Sequence, residues 1–135
     1  MRRILEDVGT YLETWGIGSV GGNIFIGNLP QSPTKCMGIF SNVGLMSPNN
    51  APYFLPHVQI LIRDEYANHI TLSRLNDYVF SLLDDKWEVF TRFKGRMTAL
   101  APPGANYKDE AGNWVFSLNF QAMVVETTIS SPSTL

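Results

Sequence analysis

The sequence has one cysteine, little charge and no long hydrophobic run, and each shortage excludes a class of protein. Cys36 has no second cysteine to pair with, so an internal disulfide framework is excluded. Charged residues make up 16% of the 135 residues, whereas an average soluble domain has about a quarter. No apolar run approaches the ~20 residues that cross a bilayer, so we expect no membrane contact and synthesis in the cytoplasm.

The charge balance also argues against a protein that grips nucleic acid. The formal net charge is −2, and a nucleic-acid binder usually has a basic excess. The basic cluster Arg92, Lys94 and Arg96 alternates as it would along one face of a strand, which favours a solvated face. Because the sequence has so few charged residues, we expect another protein to cover part of the surface.

The segment from His57 to Asp85 is the most informative part of the chain. Val58, Ile60 and Ile62 alternate with other residues, which predicts a strand. The apolar residues that follow are spaced by three or four, which predicts a helix with one apolar stripe. These residues are Tyr66, Ile70, Leu72, Leu75, Val79, Leu82 and Leu83. A strand that leads directly into such a helix predicts a sheet with a helix packed on it.

The remaining pattern predicts an α+β domain without an internal linker. Further elements are a helix over 2–15, short strands over 23–27 and 36–41, strands over 87–92 and 96–101, and a long strand over 114–127. Long loops are predicted over 42–56 and 102–113. We expect a mixed, mainly antiparallel sheet with two helices packed on one face. The domain spans residues 1–129, and a flexible polar tail spans 130–135.

Three glycines, Gly16, Gly18 and Gly21, reproduce the spacing of a dinucleotide-binding loop. That loop needs a strand before it and a helix after it, so that amides at the start of the helix bind the pyrophosphate. Here the order is reversed, since a helix precedes the glycines and a strand follows them. The glycines therefore predict a turn that ends the first helix.

No other residue set predicts catalysis, a cofactor or a metal. A nucleophilic Cys36 would need a histidine beside it, and the candidates are His57 and His69. Cys36 lies in a short apolar strand, where a free cysteine acts as a small hydrophobic residue. The cysteine and the histidines lack zinc-ligand spacing. Adjacent carboxylates flank element ends, and Asp64 is a candidate cap for the second helix.

Apolar residues in the two long loops have no periodic explanation. Those of the first loop are Leu45, Met46, Tyr53, Phe54 and Leu55, and Tyr107 lies in the second. They either fold back onto the core of their own subunit or contact another subunit. The low surface charge favours the second alternative, so these residues are our candidate protein interface.

Taken together, three segments resemble the tail terminator proteins of long-tailed bacteriophages. Residues 5–30 form a helix, a glycine break and a strand that ends in a proline turn. Residues 58–85 form a strand and a helix, with Arg63 and Tyr66 at their junction. Residues 109–125 form an acidic turn followed by a long strand that contains Asn119 and Phe120.

The resemblance implies a virion structural protein without catalytic activity. Its subunits would form a ring of six on the finished tail tube, stop polymerisation of the tube protein and dock to the head-closure or connector protein. DNA would pass through the ring without specific binding, so we expect a channel without a strongly basic lining. Asp84, Asp85 and Glu88 are candidates for the channel wall, with the cluster Arg92, Lys94 and Arg96 away from it.

Three alternatives remain open at this point. The protein could be another component of the head–tail connector. It could be a small enzyme that uses Cys36 or His57. It could also be a monomeric binding module with a ligand pocket under the 42–56 loop.

Overall fold

Two helices and six strands make up the part of the chain that the structure describes. The computed structural model describes residues 2–45, 53, 55–91 and 94–125. In chain order the elements are α1 (Arg2–Thr14), β1 (Ile24–Ile26), β2 (Cys36–Leu45), β3 (Leu55–Asp64), α2 (His69–Leu83), β4 (Lys94–Ala99), β5 (Ala105–Lys108) and β6 (Trp114–Val125). The α+β class predicted from the sequence is confirmed.

The described strands form one mixed sheet that is mainly antiparallel, as predicted. The strand order is β1-β2-β3-β6-β4, and β5 also pairs with β6. β1 runs parallel to β2, and the other pairs are antiparallel. β4 pairs with residues 120–125 of β6 and β5 with residues 114–117. These two strands therefore follow each other along the edge of β6 that faces away from β3.

The register of the sheet places its apolar residues on one face. Ile60 of β3 lies opposite Ile39 of β2 and opposite Leu118 of β6, and all three are buried. The same core includes buried residues of both helices, which are Ile4, Leu5, Val8 and Leu12 of α1 and Leu72, Val79, Leu82 and Leu83 of α2. Because one core joins both helices to this face, the helices pack on the same side of the sheet.

The glycine triad ends α1, as the sequence predicts. Gly16 has a φ of 77°, a left-handed conformation that favours glycine. Its N–H donates to the carbonyl of Glu13 at 3.0 Å, and the N–H of Ile17 donates to the carbonyl of Leu12 at 3.1 Å. This pair of bonds is the Schellman arrangement, which satisfies carbonyls at a helix end. The glycines are therefore part of a turn between α1 and β1.

The two predicted long loops contain more strand than expected. β2 continues to Leu45 and β3 begins at Leu55, so both ends of the 42–56 segment are strand. The predicted loop over 102–113 contains β5. β5 is an edge strand that pairs with β6, and its polar sequence gave no alternating apolar signal. Met46 and Phe54, the end of the 114–127 strand and the 130–135 tail lie outside the described residues.

The prediction of a strand over 87–92 is wrong for the residues of this segment that the structure describes. Residues 87–91 form no strand, and only the adjacent Lys86 makes an isolated bridge to Met97. Val89 and Phe90 are both buried, although neighbouring side chains of a strand would point to opposite faces. The segment therefore fills the core as an irregular stretch.

The apolar stripe of α2 is narrower than predicted at its start. Tyr66 belongs to a 3₁₀ turn, Tyr66–Asn68, and Ile70 lies on the outer side of the helix. Both side chains are exposed, by 57% and 69% respectively. The described part of the chain has no helix that is long and apolar enough to cross a membrane.

The difference in burial between Ile60 and Ile70 predicts that the same substitution changes the free energy of unfolding by very different amounts. Ile60→Ala removes a fully buried side chain and should lower the free energy of unfolding by about 2–5 kcal/mol. Ile70→Ala removes an exposed side chain and should change it by less than about 0.5 kcal/mol. Denaturant unfolding of both variants measures the difference, and equal losses would contradict this description of the core.

Candidate functional site

The structure separates Cys36 from His57, one of the two histidines that could have formed a cysteine–histidine site. Cys36 lies opposite Arg63 at one end of β3, and His57 lies near the other end, opposite Asn42. Residues 57 and 63 are about 20 Å apart along a strand that rises ~3.3 Å per residue. The side chain of His57 instead contacts the Oδ1 atom of Asn119 at 3.3 Å. Cys36 and His57 therefore form no catalytic pair.

The environment of Cys36 keeps its thiol protonated. Burial raises the pKa of the thiol, and the nearby Arg63 guanidinium only partly offsets that effect. The sulfur lies 3.9 Å from the carbonyl oxygen of Pro30. Since the thiolate is the reactive form of cysteine, Cys36 is poorly suited to be a nucleophile.

No metal site is found among the described residues. They contain no cluster of three or more histidine, cysteine or acidic side chains that could hold a metal ion. A cavity of about 40 Å³ lies between Ile17, Ile62 and Leu75, and that volume suits a water molecule but no organic ligand. Wider clefts of about 360, 570 and 540 Å³ are open to solvent, beside Trp114, Arg63 and Asp84 respectively. The pocket predicted under the 42–56 loop falls mainly outside the described residues.

Arg63 fixes the loop between β1 and β2 against the end of β3. Its Nε atom donates to the carbonyl oxygen of Thr34 at 2.9 Å, and its Nη2 atom donates to the carbonyl oxygens of Pro30 and Pro33. The side chain of Arg63 is buried, and its Nη2 atom lies 3.3 Å from the sulfur of Cys36. The guanidinium satisfies loop carbonyls that the sheet leaves without partners.

Asp64 stabilises the turn before α2 and does not cap the helix, in contrast to the prediction. Its Oδ1 atom accepts hydrogen bonds from the N–H of Glu65 at 2.7 Å and the side-chain amide of Asn68 at 3.2 Å. The N-cap residue of α2 is Asn68. The Oδ2 atom of Asp64 lies 3.9 Å from the ammonium of Lys35. Arg63 and Asp64 thus fix both sides of the junction between β3 and α2.

An aromatic cluster covers the outer side of this junction. The ring of Tyr66 stacks on that of Trp114 with centroids 5.9 Å apart, and His69 meets Trp114 at 4.6 Å. The ammonium of Lys108 lies 4.1 Å from the Tyr66 ring centroid and 5.6 Å from that of Trp114. Such contacts attract a cation to the negative faces of the rings. The sequence predicted none of these contacts, because they join α2, β5 and β6.

The candidate interface residues lie in separate parts of the sheet. Leu45 and Leu55 face each other across β2 and β3, where the two strands extend beyond the pairing with β6. Tyr53 is half-buried, and Tyr107 on β5 is 50% exposed. Tyr107 lies opposite Val115 of β6, at the other end of the sheet. Tyr107 therefore lies at the end of the sheet away from the described residues of the 42–56 segment.

The candidate channel residues divide into two groups. The Oδ1 atom of Asp84 accepts the N–H of Ala99 at 2.9 Å, and Asp85 accepts a hydrogen bond from Nε of Arg96 at 2.6 Å. Glu88 lies near α1, where burial and, to a lesser extent, the Glu88 carboxylate raise the pKa of Tyr11. Since Asp85 and Arg96 form an ion pair, they share one surface. The sequence analysis placed Asp85 on the channel wall and Arg96 away from it. The two residues cannot be separated in this way, because they form an ion pair.

Comparisons with known proteins agree with this picture of a structural subunit. A sequence model of a family described as bacteriophage tail terminator protein matches residues 11–126. No curated protein matches the sequence. Among the solved structures that match is a chain from the virion of a native gene transfer agent particle, with a TM-score of 0.63 and 17% sequence identity. The match covers 87% of this chain and 91% of that chain, and at this identity it concerns the fold.

The contacts of Arg63 predict that this arginine contributes to stability. Arg63→Met leaves three loop carbonyls without their buried donor and should lower the free energy of unfolding by about 2–4 kcal/mol. Arg74→Met makes the same change on the exposed side of α2 and should cost less than about 0.5 kcal/mol. Thermal or denaturant unfolding measures both, and a stable Arg63→Met variant would contradict the role of the guanidinium.

Proposed function

Because the chain belongs to the bacteriophage tail terminator family, we propose that six copies close into a ring that caps the tail tube. The family is one of phage tail structural proteins. The ring stops polymerisation of the tube protein and presents a surface to the head-closure or connector protein. The observation that carries the proposal is the family match, which includes the last turn of α1, all six described strands and α2.

Several features of the molecule support an architectural role. The two described helices cover one face of the sheet and leave its other face and its edges to partners. Exposed large apolar side chains occur on α2 and the turn before it, on β5 and after the end of α1, and they include Ile70, Tyr66, Tyr107 and Trp15. Exposed apolar groups of this kind mark interaction sites. We propose that the protein acts through these contacts and without catalysis.

We propose that DNA passes through the ring without specific binding. A wall rich in lysine or arginine would hold phosphates through counterion release and would impede passage. Asp84 and Asp85 are our candidates for that wall, where the ion pair between Asp85 and Arg96 cancels one positive charge. Glu88 lies beside α1, and we assign it to a different surface below.

The length of tail tubes tests the proposed function. Tubes assembled from the tube protein of the same phage should vary in length without this chain and stop growing when it is added. The control is an unrelated protein at equal concentration. Tubes that continue to elongate with the chain bound would contradict termination. A different head–tail connector component would leave tube length unchanged and alter only the joining of heads to tails.

The candidate interface predicts which tyrosines support association. We propose that Tyr107 and the residues Leu45, Met46, Tyr53, Phe54 and Leu55 of the 42–56 segment contribute to ring contacts. Tyr107→Asp and Tyr53→Asp should weaken the association of subunits, because each buries a carboxylate in an apolar contact. Tyr107→Phe and Tyr53→Phe are the matched controls and should associate normally. Sedimentation measures association and circular dichroism the fold, and unfolding of the Tyr53→Asp variant would assign that residue to the core.

A further inference from the structure

An exposed apolar surface at the start of α2 carries a positive charge. We define the α2 surface by Tyr66, Ile70, Lys108 and Trp114. Tyr66, in the 3₁₀ turn before α2, and Ile70, in the first turn of α2, are both more than half exposed. The ammonium of Lys108 lies over the Tyr66 ring. In the described part of the chain, no carboxylate forms an ion pair with Lys108. The α2 surface is therefore apolar, aromatic and capped by a cation.

A second exposed aromatic surface lies at the end of α1 and is acidic. We define the α1 surface by Tyr11, Glu13, Trp15, Val20 and Glu88. Trp15 is 52% exposed, and its ring meets that of Tyr11 with centroids 6.3 Å apart. Glu13 accepts the N–H of Val20 at 2.8 Å. Glu88 precedes Thr91, whose N–H donates to the Oδ2 atom of Asp7 on α1 at 3.3 Å, so this segment lies against α1. This surface therefore combines exposed apolar groups with carboxylates.

The α1 and α2 surfaces lie toward opposite edges of the sheet, apart from Glu88, which follows the bridge between Lys86 and Met97 of β4. α1 packs on β1 and β2, at one end of the strand order, whereas the α2 surface includes residues of β5 and β6 at the other. Strands are spaced by ~4.8 Å, so the edges of the five-strand path are about 20 Å apart. A closed ring requires this arrangement, because each subunit meets its two neighbours through different surfaces.

We propose that the α2 surface of one subunit binds the α1 surface of the next. The occupant of the α2 surface is thus a second copy of this chain. Opposite charges support that choice, since Lys108 on one surface faces Glu13 and Glu88 on the other. The apolar groups of both surfaces would be removed from water by the same contact. The inference rests on the proposed ring and names the surfaces that close it.

Charge reversal on either surface tests the contact. Lys108→Glu places a negative charge opposite the acidic surface, and Glu88→Lys places a positive charge opposite Lys108. Each variant alone should need about tenfold more protein to cap tail tubes, because attraction is replaced by repulsion. The variant that carries both changes should cap at the wild-type concentration. An equal mixture of the two single variants should also recover, since each reversed charge then meets an opposite one on its neighbour.

Controls separate this contact from general effects of charge and from folding. Lys94→Glu makes the same charge change on β4, where Lys94 is exposed on the face of the sheet opposite the helices, and should cap normally. Circular dichroism and thermal unfolding check that each variant is folded. Recovery in the double variant and in the mixture cannot arise from variants that fail to fold.

Three results would overturn the proposal. Normal capping by both single variants would show that the contact lies elsewhere. Failure of the folded double variant and of the mixture to recover would show that the two surfaces do not meet. Weaker tube binding by Lys108→Glu with subunit association unchanged would assign the α2 surface to the tube. If the wild-type chain does not cap tubes at all, the proposed function itself fails, and this contact fails with it.

Discussion

Ile60 lies at the centre of the sheet, between Ile39 of β2 and Leu118 of β6, and the burial of that row organises the rest of the molecule. Side chains of a strand alternate between the two faces of a sheet. The register that buries this row therefore places the residues next to it along each strand on the opposite face. Both helices cover the buried face. The described helices therefore leave the other face and the two edges of the sheet for contacts between proteins.

The elements predicted correctly from the sequence are those whose apolar residues repeat with one regular spacing. Alternation identified β3 and β6, and three-to-four spacing identified α1 and α2. β5 was not predicted, because a short edge strand with one partner needs no alternation of apolar residues. Residues 87–91 were mistaken for part of a strand because Val89 and Phe90 are apolar, although they fill the core without joining a ladder. Periodicity therefore revealed the regular core and missed the irregular part of it.

The features of the junction between β3 and α2 depend on contacts that no local pattern contains. Trp114 meets Tyr66 because Asp64 pairs with Trp114 in the register of β3 and β6. Arg63 was recognised as a residue of the junction, but its role comes from carbonyls of the preceding loop. Ile70 fits a helical spacing and yet points outward. The candidate interaction surface therefore emerged only once β5, β6 and α2 were placed together.

We propose above all that copies of this chain form a closed ring at one end of the tail tube. End-on electron microscopy of tubes assembled with the chain, analysed for rotational symmetry, measures this most directly. The account predicts a single ring with sixfold density at one end and none along the tube. Isolated subunits, an open arc, or copies distributed along the tube would contradict it.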